Sequence, residues 1–491
     1  MKLIIINHTY QYETENLVRV FFPNEKIETV FQNEPCSRFI ESKLERTANG
    51  AVISITACLD SDFQGEKGTF LLSEKPFDDT EDSFFERKNA QLIFKLLQRM
   101  TGYTPPWGIL TGVRPAKLMT SLCAKWGDER TREYFSKELF VSDEKIRLAF
   151  YVSKKEQPII IKSRKDSFSL YVSIPFCPTR CSYCSFVSHS NESAKRLMEP
   201  YALLLCREID ETAKVAAALS LRLESIYIGG GTPTALTARL LKMITDCIAD
   251  NFNINEIGEY TIEAGRPDSV DEEKLEVIKN SGAKRISINP QTFSDSVLEA
   301  IGRRHTSAMT ESAMGLARKH GFKNINMDLI AGLPTDTFEN FQKTLLKTLS
   351  FEPENITVHT LALKRSSSLV TDEMEKGSAA EAQKMLSYAF ETLLKNGYEP
   401  YYMYRQSKCL GNLENVGWAK RGFECRYNVD MMEESHTVLA CGAGAVTKLR
   451  SPSTGNIERI FNFKYPYEYI DRYSEVLERK KRIKEFYKDE K

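Results

Sequence analysis

Leu170-Tyr-Val-Ser-Ile-Pro-Phe-Cys-Pro-Thr-Arg-Cys-Ser-Tyr-Cys-Ser-Phe186 is the stretch on which the reading of this chain turns. Its first part, Leu170–Phe176, alternates apolar and polar residues and predicts a β-strand. Directly behind it, Cys177, Cys181 and Cys184 stand in a C-x3-C-x2-C spacing. Three thiolates within eight residues can wrap one small inorganic centre. A [4Fe–4S] cube takes one ligand per iron, so three cysteines leave one iron open to a small molecule. Structural zinc, with His189 as a fourth ligand, is the alternative; such sites are usually closed by two cysteine pairs, and no second pair follows here. The cysteines also lie at the C-terminal end of a strand, where barrel enzymes keep their active sites.

Working outward, residues 166–375 alternate strands with helices. Strands are predicted at Leu170–Phe176, Ser225–Gly229, Tyr260–Ala264, Arg285–Asn289, Asn324–Ile330 and Ile356–Leu363. Helices such as Tyr201–Ala218, Asp271–Lys279 and Thr337–Leu349 separate them. Repeated βα units imply an α/β fold with a parallel sheet, and six units imply an incomplete barrel rather than the eight of a full one. Residues 1–165 carry strand-like runs at Lys2–Ile6, Ala51–Cys58 and Gly68–Leu72, a helix over 82–100, and a punctuated Pro-Trp-Gly loop near Trp107. They predict a small α+β domain. Residues 376–491 open with a helix, Ala379–Asn396, capped by Gly397, pass through an aromatic stretch, Tyr398–Tyr404, and close in a charged, solvated helix over Asp471–Lys491. That region is expected to be mostly helical.

The bulk numbers narrow the classes. A length of 491 residues suits two to four domains, and 42% hydrophobic with 27% charged residues is ordinary for a globular protein. Lys+Arg and Asp+Glu are both 67, which argues against a nucleic-acid backbone as the main partner. There is no run of 18 apolar residues and no signal-peptide core, so neither a membrane span nor secretion is expected. Eleven scattered cysteines fit reduced thiols in a cytoplasmic protein better than a disulfide scaffold.

Further candidates sit at the ends of the later strands. Gly229-Gly-Gly-Thr-Pro-Thr234 lets backbone approach a ligand with no side chain between. It lacks the Gly-Lys-Ser/Thr of a phosphate loop and ends in Thr234 where a dinucleotide fingerprint needs Gly or Ala. Glu263 and Gln291 end the third and fourth strands and Asp328 lies on the fifth; each is otherwise a cap for the following helix. Arg303, in Gly302-Arg-Arg-His-Thr306, suits a charge-assisted contact to a carboxylate, or else an exposed ion pair.

The cysteine stretch and these motifs resemble the radical S-adenosylmethionine (SAM) enzymes, and more narrowly the oxygen-independent coproporphyrinogen III oxidase family with its heme-chaperone relatives. The likeness runs from about Tyr171 to Leu449. The amino-terminal extension, with Pro-Trp-Gly-Ile-Leu-Thr-Gly-Val-Arg-Pro at 106–115, is similar to the HemZ-type branch. The resemblance implies a radical SAM barrel with a [4Fe–4S] cluster on Cys177, Cys181 and Cys184. It implies SAM held by Gly230, Gly231, Thr232, Glu263, Gln291, Arg303 and Asp328, with Tyr171 and Tyr183 beside it and Ala362 at its adenine or ribose. It also implies a 5′-deoxyadenosyl radical, a flavodoxin- or ferredoxin-type reductant, and oxidative decarboxylation of coproporphyrinogen III to protoporphyrinogen IX. Such a substrate calls for a basic lining, for which Arg405, Lys408, Lys420, Arg421 and Arg426 are candidates, or else solvated cations; Tyr401, Tyr402 and Tyr404 are candidates to face the macrocycle, or else core residues. One departure stands out: position 186 is Phe where the decarboxylases carry another cysteine, which resembles the heme-chaperone branch.

Overall fold

The computed structural model describes residues 1–32, 36–75, 79–184, 189–362, 378–406 and 408–488, without the side chains of 189–193. Phe186, the side chain of His189, the end of the strand expected to reach Leu363 and the boundary expected near 375 lie outside these residues. Two compact units emerge: Met1–Phe150 with Tyr404–Glu414, and Tyr151–Met403 with Asn415–Lys491.

In the first unit, β1 (Lys2–Ile6), β2 (Glu28–Val30), β3 (Phe39–Thr47), β4 (Gly50–Leu59) and β5 (Asp62–Leu71) form one sheet in the order β2-β1-β3-β4-β5. β1 pairs in parallel with β2 and β3, and the rest is an antiparallel meander. The alternation on β4 buries Ile53, Ile55 and Ala57 against Phe84, Ile93 and Leu97 of the helix Glu81–Thr101. That helix starts at Thr80, whose hydroxyl accepts from the Ser83 N–H, and stops at Gly102 in a left-handed conformation. The Pro-Trp-Gly segment is part of the packing. The Trp107 indole N–H donates to the buried Glu414 carboxylate at 2.7 Å, and Lys145 caps the other oxygen at 2.6 Å.

The second unit is built on β6 (Ser167–Ile174), β7 (Phe176–Cys177), β8 (His189–Ser190), β9 (Arg222–Gly230), β10 (Glu259–Glu263), β11 (Arg285–Ser287), β12 (Ile325–Ala331) and β13 (Asn355–Thr360). β14 (Glu399–Arg405), β15 (Glu414–Ala419), β16 (Thr437–Cys441), β17 (Val446–Arg450) and β18 (Ile457–Phe461) follow. β6 and β9–β13 run parallel in sequence order, the partial barrel that the six βα units implied. β16 adds in parallel beside β6, β17 and β18 pair on antiparallel, and β15 then β14 extend the other side from β13. Among the described residues the last region therefore contributes five strands besides its helices, and these strands complete an existing sheet.

Period-two alternation explains the layers. Leu170, Val172, Ile174, Ile226, Ile228, Ile262, Ile286 and Met327 form one buried cluster with Leu205, Leu241, Ile244, Ile278 and Met314 of the crossover helices. The alternate positions, on the opposite face of the sheet, are Ser169, Tyr171, Tyr227, Glu263, Asp328, Thr357 and His359. Helices enter cleanly: Thr237, Asp271, Thr306 and Thr337 each accept a first-turn N–H. The charged terminal helix, Tyr473–Lys488, is not wholly solvated. Val476, Lys480, Ile483 and Tyr487 form a buried stripe along it, and a lysine in that stripe hides its periodicity.

Candidate active site

Each strand of the partial barrel delivers its chemistry at the C-terminal end, the usual place for function in parallel sheets. Behind β6 the chain turns into the cysteine loop. β7 pairs with β8 across the base of this loop, Phe176 opposite His189 and Cys177 opposite Ser190. Phe176 is fully buried, Cys181 is buried, and Cys177 and Cys184 are half-buried.

The glycine stretch lies against this loop. The Gly231 N–H donates to the Ile174 carbonyl at 2.7 Å and the Thr232 N–H to the Phe176 carbonyl at 2.8 Å. A Cβ on Gly231 would stand 2.6 Å from the Phe176 oxygen and 3.1 Å from the Cys177 sulfur, so glycine alone fits there. Gly230 has φ +106°, a conformation that side chains avoid. The Thr232 hydroxyl is 3.4 Å from Cys177 Sγ. On Gly229 a Cβ would meet the Glu263 carboxyl at 2.9 Å. The stretch is a cradle kept bare of side chains.

Glu263 accepts a hydrogen bond from Tyr227 Oη at 2.5 Å. Burial pushes its pKa up to about 7, and the charge of Asp328 adds to this while Tyr227 and His359 oppose it. Asp328 behaves oppositely. Burial alone would raise it, but His359, Asn326 and Thr357 together hold it below the ordinary carboxylate range. His359 Nε2 lies 3.8 Å from the Asp328 carboxylate, which raises the imidazole pKa despite burial. Gln291 sits at φ +68°, held by its N–H on the Asp328 carbonyl at 2.9 Å and by the Ile330 N–H on its own carbonyl at 3.0 Å. A non-glycine residue in that conformation marks a position fixed by its surroundings. None of these three caps the next α-helix; Asp271, Ser294 and Thr337 occupy the N-cap positions.

Arg303 is buried rather than in an exposed pair. It donates to Tyr183 Oη at 2.9 Å, to the Asn289 carbonyl at 2.7 Å and to the Gly265 carbonyl at 3.3 Å, and it lies 3.9 Å from Cys181 Sγ. Arg266, which sequence reasoning did not single out, is equally buried and lies 3.6 Å from the same sulfur. Tyr171 stacks with Tyr427 at 6.2 Å and 14° and with Tyr227 at 6.3 Å and 28°. Ala362 follows β13 just past Leu361, whose N–H donates to the Ala331 carbonyl. Sequence reasoning also missed His359 and Tyr227, which face the same side as Asp328 and Glu263 by strand alternation and were readable from that rule.

The proposed porphyrin contacts are placed differently. Tyr401 and Tyr402 are buried, and the Tyr402 ring occupies the space a side chain on Gly417 would need. Arg405 is buried across Trp107 and donates to the Leu110 carbonyl. Arg426 pairs with Glu224 and Asp430, and Lys420 bonds the Glu352 carbonyl. Lys408 and Arg421 are exposed. Arg405, Lys420 and Arg426 thus have partners inside the protein, and Tyr401 and Tyr402 are packed in its interior.

The donor set suits an anionic, sulfur-rich centre. Three cysteines come from one loop, and two buried guanidinium groups stand within 4 Å of Cys181 Sγ. Among the described residues no three His, Cys, Asp or Glu side chains converge closely enough to hold a single metal ion. A cube with one thiolate per iron spreads its ligands more widely than one ion does. No helix among the described residues is long and apolar enough to cross a membrane.

Comparison with known proteins gives the following. Residues 171–347 match the Radical SAM superfamily. The chain is 37% identical to the oxygen-independent coproporphyrinogen-III oxidase-like protein HemZ of Bacillus subtilis, over 82% of this chain and 81% of that one. It is 30% identical to the heme chaperone HemW of Haemophilus influenzae, over 62% of this chain and 75% of the relative. Among solved structures, the coproporphyrinogen III oxidase HemN from Escherichia coli superimposes with a TM-score of 0.52 at 21% identity, covering 67% of this chain and 73% of that one. At that identity the likeness is one of fold.

Proposed function

This chain belongs to the radical SAM family of HemZ, HemN and HemW, and from that premise we propose that it is an oxygen-independent coproporphyrinogen III oxidase. The observation that carries the proposal is the extent of the HemZ match. A match over 82% must enter residues 1–165, because the remainder is only about two thirds of the chain. The HemW relative covers 62%.

The cofactors of this superfamily are a [4Fe–4S] cluster and SAM. Bound here, they would supply one-electron chemistry for abstracting hydrogen from substrate. We assign Cys177, Cys181 and Cys184 as the cluster ligands. Gly230, Gly231 and Thr232 present backbone to the amino-acid end of SAM, with Glu263 beside them as a partner for its ammonium. Gln291, whose N–H bonds the Asp328 carbonyl, orients the nucleoside together with Asp328, and Ala362 closes that side. Arg303 and Tyr183 brace the cysteine loop toward the SAM carboxylate, and Tyr171 shields the site from below with its tyrosine stack.

The test is anaerobic. Protein reconstituted with iron and sulfide receives SAM, a one-electron reductant and coproporphyrinogen III. The expected result is release of carbon dioxide and formation of the divinyl product. Absence of vinyl product beside a competent control overturns the proposal. The HemW match favours a second reading, a heme chaperone. It requires saturable heme binding in an absorbance titration, tighter than to an unrelated protein.

A further inference from the structure

We propose that Arg266 is a positioning residue that raises the reduction potential of the cluster held through Cys181; this rests on the ligand assignment above. Arg266 follows β10 directly after Ala264 and Gly265, and only 3% of it is exposed. Its Nη1 donates to the Thr179 carbonyl at 3.2 Å and faces Cys181 Sγ at 3.6 Å. Its Nη2 donates to the Thr179 hydroxyl at 3.0 Å. One planar group thus grips the loop between the first two cysteines and presents an N–H to a ligand sulfur.

Asp268 fixes the orientation. Its two carboxylate oxygens accept from Nε at 2.9 Å and Nη2 at 2.8 Å, along the guanidinium edge that includes Nε. Nη1 is left to the loop and the sulfur. A lysine cannot reproduce this fork, because a guanidinium holds its donors in one plane and an ammonium does not.

The electrostatic sense follows from charge. Reduction adds one negative charge to a centre already negative through its thiolates. A buried cationic donor on a ligand sulfur stabilises the reduced form more than the oxidised one and moves the potential up. Asp268 weakens the effect without reversing it, since the cation is nearer the sulfur. Arg303 stands 3.9 Å from the same sulfur, but it is tied to Tyr183, Asn289 and Gly265 around the proposed SAM site. Among the described residues the Arg266 side chain bonds Thr179, Cys181 and Asp268.

The experiment uses the full chain, anaerobically reconstituted as wild type, Arg266→Gln and Arg266→Lys. Iron and sulfide are assayed first, and the cluster is then titrated by electron paramagnetic resonance against a series of poises. Arg266→Gln is expected to keep its iron and sulfide and to show a reduced-to-oxidised ratio at least tenfold lower at a fixed poise, equivalent to 59 mV for one electron. Arg266→Lys falls between it and wild type. A Gln variant with intact cluster and a ratio within twofold of wild type overturns the proposal. If the Gln variant takes up no cluster, the Lys variant decides: a lowered ratio supports the proposal and an unchanged one overturns it. Loss of cluster from both variants reduces Arg266 to a scaffold and also overturns it. A wild-type protein that takes up no iron and sulfide fails the ligand assignment instead.

Discussion

Glu263 carries a proton in the folded protein at pH values where an ordinary glutamic acid has lost it. Its folded pKa, about 7, lies above the usual 4.5, chiefly because burial disfavours the charge. The raised value means that this group's contribution to stability is complete below about pH 4.5 and is lost as pH rises through 7. Glu263→Gln in metal-free protein should therefore flatten the stability profile between pH 5 and 8. The variant should gain about 2 kcal/mol on wild type across that interval, discounted for partial solvent contact. Urea unfolding at the two ends of the interval checks this, and parallel profiles would show that Glu263 ionises normally. Cys181→Ser should abolish iron and sulfide uptake and the brown charge-transfer colour. Retention of both would remove the cysteine from the ligand set.

Among elements, the site's own constraint is the crossing of the glycine stretch with the cysteine loop. In Gly231→Ala the new Cβ meets two backbone oxygens, of Phe176 at 2.6 Å and Ile174 at 2.8 Å, which no rotamer can relieve. Overpacking of this kind costs about 1–3 kcal/mol, read as a fall in the urea midpoint. A midpoint equal to wild type would mean that β6 and β9 separate freely at their ends. The same region shows why so much was readable. All six barrel strands were legible because each carries buried apolar residues on one face and helical stretches separate them. The cysteine spacing and the three glycines need no tertiary context. Arg266 was not legible, because an Arg-Pro-Asp sequence after a strand reads equally as a turn, and only the fold brings Cys181 to it. His359 and Tyr227 obeyed the alternation rule but belong to no motif. β14–β18 were missed for the opposite reason, as strands recognised only by the sheet edges they join.

Across the whole second unit, the carboxyl-terminal helix is tied to the long helix Asn191–Ala218 that leads away from the cysteine loop. Lys480 reaches Glu208 at 2.9 Å, with both side chains buried. Glu208 also accepts from Tyr469 at 2.6 Å, the Gly442 N–H at 2.7 Å and Asn462 at 2.8 Å. Lys480→Met strands a buried carboxylate, and breaking such a pair costs about 3–5 kcal/mol. The three remaining donors place the expected loss near the lower end, about 3 kcal/mol, measurable by thermal or urea unfolding. A neutral result would show that these donors suffice without the cation.

The staple between β7 and β8 bears on how the molecule ages. It closes the base of a loop that supplies every proposed sulfur, while the apolar layer behind the sheet holds together without them. Air that destroys the inorganic centre should disarm the protein and leave its architecture standing. Repair then calls for fresh iron and sulfide, with no new chain to be made.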